Sequence, residues 1–164
     1  MAYYKFERKG RLQRVLHQLK YSNRPEVGNL IGEWYGRELE DLELPNLYDV
    51  IVPVPLHKTK LRRRGYNQSA QFAEGLSKSL NIPIDLSLLK RTKKTATQTK
   101  KTRVERWQNV EEIFKVSKKK KLTDLRVILV DDVITTGSTI ESCAIALLGA
   151  GAASVGVIAI AAAK

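Results

Sequence analysis

The 164-residue sequence contains one cysteine, one methionine and only 7% aromatic residues. A lone cysteine, Cys143, rules out an internal disulfide and a cysteine-based zinc site, and its place in an apolar helical pattern marks it for packing. Long apolar runs are missing too. The longest uncharged stretch, Ser142 to Ala163, is broken by Gly149, Gly151, Ser154 and Gly156, so no membrane span is expected. The start lacks a basic segment followed by an apolar one, because Lys5, Glu7, Arg8, Lys9 and Arg11 are mixed among its apolar residues. A cytoplasmic location is the expectation. What remains, 43% hydrophobic and 28% charged residues, is the composition of a folded protein large enough to bury a core, and a single domain over residues 1–164 is expected.

Acidic residues are the scarcer charge. Seventeen Asp and Glu oppose twenty-nine Lys and Arg, for a net charge of +12. The excess is local: residues 90–121 hold thirteen basic and three acidic residues, and residues 58–64 add five more cations. Outside these two segments the chain is mildly acidic, with eleven basic against fourteen acidic residues. Concentrated positive field of this kind suits an anionic partner, a polyphosphate metabolite or a nucleic acid backbone. The four lysines 118–121 read instead as a solvated surface connection.

Leu12, Val15, Leu16 and Leu19 recur at helical spacing and predict a short amphipathic helix over residues 8–20. Pro25 opens a second helix, in which Val27, Leu30, Ile31, Trp34, Tyr35 and Leu42 form the apolar face and which Pro45 is expected to end. Residues 1–45 thus read as N-terminal helices, and 46–164 as an alternating core. Tyr48 to Val54 is a short buried strand closed by Pro53 and Pro55, and Ile84 to Leu89 is a weaker strand candidate. A helix starts near Tyr66 with Asn67 as its cap, lined by Ala70, Ala73, Leu76 and Leu80 and stopped by Asn81 and Pro83. Residues 91–109 have little apolar content and no period, and read as a long mobile loop. Leu125 to Val130 is the clearest strand. A helix built on Ile140, Cys143, Ala144, Leu147 and Leu148 follows, ending at Gly149 and Gly151, and then an apolar strand from Ala153 to Ala161. Strands apolar on both faces that alternate with helices imply an α/β fold, a parallel sheet flanked by helices.

Ligands of parallel α/β sheets bind beyond the carboxyl ends of the strands, so the residues after Val130 matter most. They are Asp131, Asp132, Val133, Ile134, Thr135, Thr136, Gly137, Ser138 and Thr139. Four small hydroxyl residues around a glycine, where the N–H groups of a helix start converge, make a phosphate cradle. Gly137 allows positive φ or close approach, and each hydroxyl can donate to a phosphate oxygen. The two carboxylates would repel a phosphate directly, but one turn away they can accept hydrogen bonds from sugar hydroxyls. The segment therefore suits a sugar that carries a phosphate.

Residues 127–139, VILVDDVITTGST, resemble the phosphoribosyl pyrophosphate signature of type I phosphoribosyltransferases, and they lack the Gly-Lys-Ser/Thr of a P-loop. Residues 52–68, VPVPLHKTKLRRRGYNQ, and 91–114, RTKKTATQTKKTRVERWQNVEEIF, are similar to the competence protein F (ComF/GntX) family. The matching elements are Pro53, Pro55, His57, Gly65, Tyr66, Asn67 and Gln68, then Thr95, Gln98, Arg106, Asn109 and Val110. That resemblance implies a type I phosphoribosyltransferase-like fold and a nitrogen nucleophile attacking C1 of the ribose with loss of pyrophosphate. It implies that Asp131 and Asp132 hold ribose hydroxyls and that Thr135, Thr136, Gly137, Ser138 and Thr139 hold the 5-phosphate. Lys58, Lys60, Arg62 and Arg64 would meet the pyrophosphate, with Lys60, Arg62 and Arg64 sharing one face at strand spacing. Arg91, Gln98, Arg106 and Asn109 would belong to a mobile loop over the substrate. Mg²⁺ would be held mainly by the ligand's own oxygens, with no direct protein ligand. Members of the family usually carry an N-terminal four-cysteine zinc module, which is expected to be absent from this chain.

Expected partners are phosphoribosyl pyrophosphate or a nucleotide, and a second copy of the chain in a homodimer. The competence resemblance opens a rival reading, a non-catalytic accessory protein of DNA uptake that binds single-stranded nucleic acid through the basic loops. Only Trp107 and Phe114 are aromatic between residues 90 and 121, which is thin for a base-stacking platform. That favours the small-molecule reading and makes any DNA contact weak and dependent on salt.

Overall fold

The computed structural model describes residues 2–6 (backbone only), 24–92, 113–117 and 122–163. The helix expected over 8–20, the lysines 118–121 and most of the segment 91–109, with Gln98, Arg106, Trp107 and Asn109, lie outside the described residues. In chain order the elements are strand β1 (Ala2–Phe6), helix α1 (Pro25–Glu38), a 3-10 turn (Glu40–Leu42), the short helix α2 (Leu44–Leu47) and strand β2 (Val50–Pro53). Helices α3 (Lys58–Arg64) and α4 (Gln68–Leu80) follow, then β3 (Leu89–Arg91), β4 (Phe114–Val116), β5 (Arg126–Ile134), α5 (Ser138–Gly149) and β6 (Ser154–Ala163).

The fold is α/β. Four strands form one parallel sheet in the order β1-β6-β5-β2, while β3 and β4 make a separate antiparallel ladder. Alternation along the strands divides the core. Ile51, Ile128, Val130, Ile158 and Ile160 pack with Phe72, Ala73 and Leu76 of α4 and with Ile31 and Tyr35 of α1. Val52, Val127 and Leu129 point the other way, onto Cys143 and Leu147 of α5 and onto Leu89 and Phe114 of the small ladder. Cys143 is fully buried, as its position in the helical pattern predicts.

Several elements differ from the sequence reading. The first long helix ends at Glu38, and Pro45 lies in the first turn of α2 instead of closing α1, because proline at that position loses no hydrogen bond. Leu30, Trp34 and Leu42 are exposed, so the inward face of α1 is narrower than its apolar content suggests. The strand expected at Ile84 to Leu89 reduces to a single bridge from Ile84 to Ile51, and Leu89 to Arg91 pairs with β4 instead. The N-terminal region is not wholly helical, since β1 extends the sheet beside β6. Leu148 is exposed, and Ile140, Cys143 and Leu147 carry the packed face of α5.

Glycine lets the two helices on one face close up. Gly28, Gly32 and Gly36 recur every four residues on the buried side of α1, with Gly32 against Gly75 and Gly36 against Ser79 of α4. A methyl group on Gly32 would lie 2.9 Å from Gly75 Cα and Leu76 N, and one on Gly75 would press on Asn29 and Glu33 backbone. In contact with this crossing, the rings of Tyr35 and Phe72 stack with centroids 6.3 Å apart.

At the other end of the sheet an ion pair fixes where β2 meets β5. The Arg126 guanidinium donates from Nη2 to Asp49 Oδ1 at 2.7 Å and from Nε to Oδ2 at 3.0 Å. The Arg126 backbone N–H adds a bond to Oδ2 at 2.7 Å, and Nη1 reaches the Asn46 carbonyl at 2.7 Å. This fork is bidentate, the geometry in which such pairs contribute most. Hydrogen bonding from the Arg126 side chain, then from its backbone N–H, lowers the Asp49 carboxyl from 3.8 to about 2.

Two outcomes follow. Gly75→Ala should lower stability in chemical denaturation by roughly 1–3 kcal/mol or more, since the added methyl meets backbone that cannot step aside. A folded pKa below the unfolded value means that the Asp49 contribution is present above about 4 and fades as pH falls through about 2. The stability gap between Asp49→Asn and the unaltered protein should thus be widest near neutral pH and close between pH 4 and 2.

Candidate functional site

Strand β5 is longer than its neighbour. Pairing of β2 with β5 stops at Pro53 opposite Val130, and the Val54 N–H takes the Val130 carbonyl at 2.8 Å. From Asp131 to Ile134, β5 is paired, among the described residues, only with β6. The acidic pair therefore stands inside the strand, not just after its end as the sequence suggests. On the open flank, where β2 has turned away, the start of α4 fills the space.

The segment Arg64–Ser69 is tied at several points. Gly65, at φ 81°, ends α3 in the left-handed conformation that glycine tolerates best. Asn67 precedes α4, yet its side chain does not cap the helix; Nδ2 donates to the Val54 carbonyl at 3.0 Å and holds the exit of β2. Arg64 Nη1 donates to Gln68 Oε1 at 2.8 Å, and Gln68 is buried. Ser69, also buried, donates from Oγ to Asp131 Oδ1 at 2.8 Å.

Asp131 retains some surface as a residue, but its carboxyl is enclosed. Burial first, and the adjacent charge of Asp132 second, push it up from 3.8 to about 7, against the Ser69 hydrogen bond, which favours the carboxylate. Backbone N–H groups of Asp132 and Val133 donate to Asp131 Oδ1 and Asp132 Oδ1, each at 2.8 Å. The Cys143 thiol on α5 is pushed above its ordinary range by burial and then by the charge of Asp131, with Arg91 opposing. No nucleophilic thiolate is available there at neutral pH.

The turn after β5 is open. Thr135, Thr136 and Ser138 are exposed, and Gly137 takes φ 76° as the residue before α5. Nothing lies within 4 Å of a Cβ built at Gly137, so positive φ and not crowding explains the glycine. The first N–H groups of α5 have no partner within the helix and point into this turn with the positive end of the helix dipole. Thr136 and Ser138 hydroxyls bond one another at 3.0 Å, so the turn is internally braced. The expected set Thr135 to Thr139 is thus brought together, one short step beyond Asp131 and Asp132.

The basic stretch after β2 is a helix, not a strand or loop. The His57 side chain caps it by accepting from the Thr59 N–H at 3.3 Å. Strand spacing consequently fails: at 100° per residue Lys60 and Arg64 share a face, whereas Arg62 falls with Lys58 on another. Lys58, Lys60, Arg62 and Arg63 are exposed, and Arg64 turns inward to Gln68. Arg91, expected in the mobile loop, instead ends strand β3, and its guanidinium lies 5.3 Å from the centre of the Phe114 ring. Ser69 escaped the sequence reading, because its partner lies 62 residues away and no local spacing marks the pair.

Residues 66–164 match the family described as the phosphoribosyl transferase domain, the class that the parallel sheet and the turn after β5 define. Over 150 residues the chain is 36% identical to the DNA utilization protein YhgH of Escherichia coli K12, covering 88% of this chain and 64% of that protein. It is 41% identical over 106 residues to Competence protein F of Haemophilus influenzae, covering 64% of this chain and 45% of the relative. The chain therefore belongs to the competence protein F family and carries its phosphoribosyl transferase domain. It spans less than two thirds of the length of these relatives. Among solved structures, a glutamine phosphoribosylpyrophosphate amidotransferase from B. subtilis superimposes with a TM-score of 0.56 at 24% identity, over 86% of this chain and 30% of that one. A Staphylococcus aureus hypoxanthine phosphoribosyltransferase gives 0.51 at 16% identity, over 80% and 62%. These likenesses concern the fold. Among the described residues no helix is long and apolar enough to cross a membrane.

The raised carboxyl of Asp131 has a measurable sign. Its folded pKa, about 7, lies above the ordinary 3.8, so the favourable contribution of the protonated form is present below about 4 and is lost as pH rises through 7. Asp131→Asn should accordingly gain on the unaltered protein between pH 4 and 8, by on the order of a few kcal/mol in denaturant titrations.

Proposed function

We propose that this chain binds phosphoribosyl pyrophosphate, or a nucleoside monophosphate, and transfers phosphoribosyl between pyrophosphate and a nitrogen acceptor. The observation that carries the reading is the continuity of the site: two carboxylates on the free extension of β5 lead within three residues into a hydroxyl-lined turn at a helix N-terminus. Thr135, Thr136, Ser138 and Thr139, with the N–H groups of the first turn of α5, hold the 5-phosphate, and Asp131 and Asp132 accept from the ribose hydroxyls. The cations of α3, the helix that leaves β2 at the same edge of the sheet, meet the pyrophosphate from one helical face, either Lys58 with Arg62 or Lys60 with Arg64. In the transfer the C1–N bond forms as the C1–O bond to pyrophosphate breaks, and the protein's contribution is orientation and placement of charge around a cationic transition state.

Mg²⁺ enters as the ion of the substrate, held by the pyrophosphate oxygens and water. Cytoplasmic location, the single-domain organisation and self-association remain part of this reading. The names of the relatives and the exposed cations of α3 favour a second reading, in which the same helix holds single-stranded DNA through its phosphates.

Calorimetry separates the two. Phosphoribosyl pyrophosphate with Mg²⁺ should bind to the unaltered protein and fail to bind to Gly137→Val, in which a β-branched residue opposes positive φ at the anion turn. Single-stranded DNA, titrated at two salt concentrations, should bind weakly and lose affinity steeply as salt rises. No heat with millimolar phosphoribosyl pyrophosphate, beside tight DNA binding that survives salt, would reverse the order of the readings.

A further inference from the structure

Ser69 stands at the second position of α4, where a serine hydroxyl ordinarily turns back to its own helix. Here it leaves the helix and donates to Asp131 Oδ1 at 2.8 Å, across 62 residues of sequence. The Asp132 N–H donates to the same oxygen at 2.8 Å. Both bonds fall on Oδ1 and set the plane of the carboxyl, whose side chain also meets that of Asp132. Ser69 itself is 3% exposed, so it cannot touch a ligand directly. Its position is held by the two residues before it, Asn67, bound to Val54, and Gln68, bound to Arg64.

We infer that Ser69 is a positioning residue: its hydroxyl orients the Asp131 carboxylate and keeps it ionised, so that a ribose hydroxyl meets an aligned acceptor. This rests on the assignment of Asp131 to the ribose. A buried carboxyl beside a second one would otherwise rotate or take up a proton, and either change removes the acceptor. Among the described residues, Asp132 on β5 opposes ionisation, Cys143 on α5 stays a neutral thiol, Arg91 on β3 acts on that thiol, and α4 contributes the uncharged Ser69. Ser69 is thus the one side chain among these that favours the carboxylate by a direct hydrogen bond.

The test follows the Asp131 carboxyl by carbon-detected NMR through a pH titration, in the unaltered chain, Ser69→Ala and Ser69→Thr, without ligand. The same samples are then titrated with ribose 5-phosphate and, separately, with sulfate at pH 8. Loss of one charge-assisted hydrogen bond should raise the midpoint in Ser69→Ala by about one pH unit and weaken ribose 5-phosphate about tenfold, with sulfate unchanged. Ser69→Thr, which keeps the hydroxyl, should restore both. A change in stability alone would move neither the midpoint nor the ratio of the two ligands. If the Ser69→Ala midpoint stays with that of the unaltered chain, the positioning role is wrong even where ribose 5-phosphate binds. If the unaltered chain takes up sulfate but no ribose 5-phosphate, the ribose assignment fails and this inference falls with it.

Discussion

Strand β5 runs four residues past the point where β2 leaves it, and the site is organised around that overhang. A central strand of a parallel sheet normally has partners on both sides, and among the described residues the flank of residues 131–134 opposite β6 has no strand. Polar groups left there must be satisfied by something else. The start of α4 meets the requirement, with Ser69 bonded to Asp131 and Asn67 bonded to the carbonyl of Val54. A carboxyl can occupy a core strand only because the strand edge is open to one side.

Around that overhang the structure divides stability from function. Packing of α1 on α4 through facing glycines, the stacked Tyr35 and Phe72 rings, and the Arg126–Asp49 fork all lie away from the turn after β5 and favour the fold. Asp131 works the other way. Burial and the charge of Asp132 make its ionised form costly, and a neutral isostere would suit the fold better. Retaining a carboxylate there is intelligible if a ligand with hydroxyl donors makes up the difference on binding.

The relatives add a constraint of length. This chain covers 64% of the YhgH protein of E. coli and 45% of Competence protein F of H. influenzae, so what those proteins do as wholes can involve parts with no counterpart here. The phosphoribosyl transferase match, residues 66–164, begins at Tyr66 and takes in Ser69, both carboxylates and the turn after β5. The basic helix α3 lies just before the matched region, although it rises from the same sheet edge. Helical geometry spreads its cations around the axis and sends Arg64 inward, so they form less of a single face than five charges in seven residues suggest.

Much of the frame could be read in the sequence, because it follows from local rules. The apolar runs at 48–54, 125–130 and 153–161 read as buried strands, Cys143 as a packing residue, and a glycine amid hydroxyl residues after a strand as a turn at a helix start. The family resemblance rested on the same local strings. What the sequence could not show were relations between distant residues. Nothing near Ser69 points to Asp131, and nothing in β5 says that β2 stops at Val130. The run from Lys58 to Arg64 looked like a loop until His57 and Gly65 were seen closing it as a helix. Pro45 could end one helix or begin another, and only the path of the chain around it decided which. Periodicity is a property of neighbours along the chain, and so the sequence carries it. Hydrogen-bond partners and strand ends depend on which surfaces meet, and those are chosen by packing of the whole sheet and its helices.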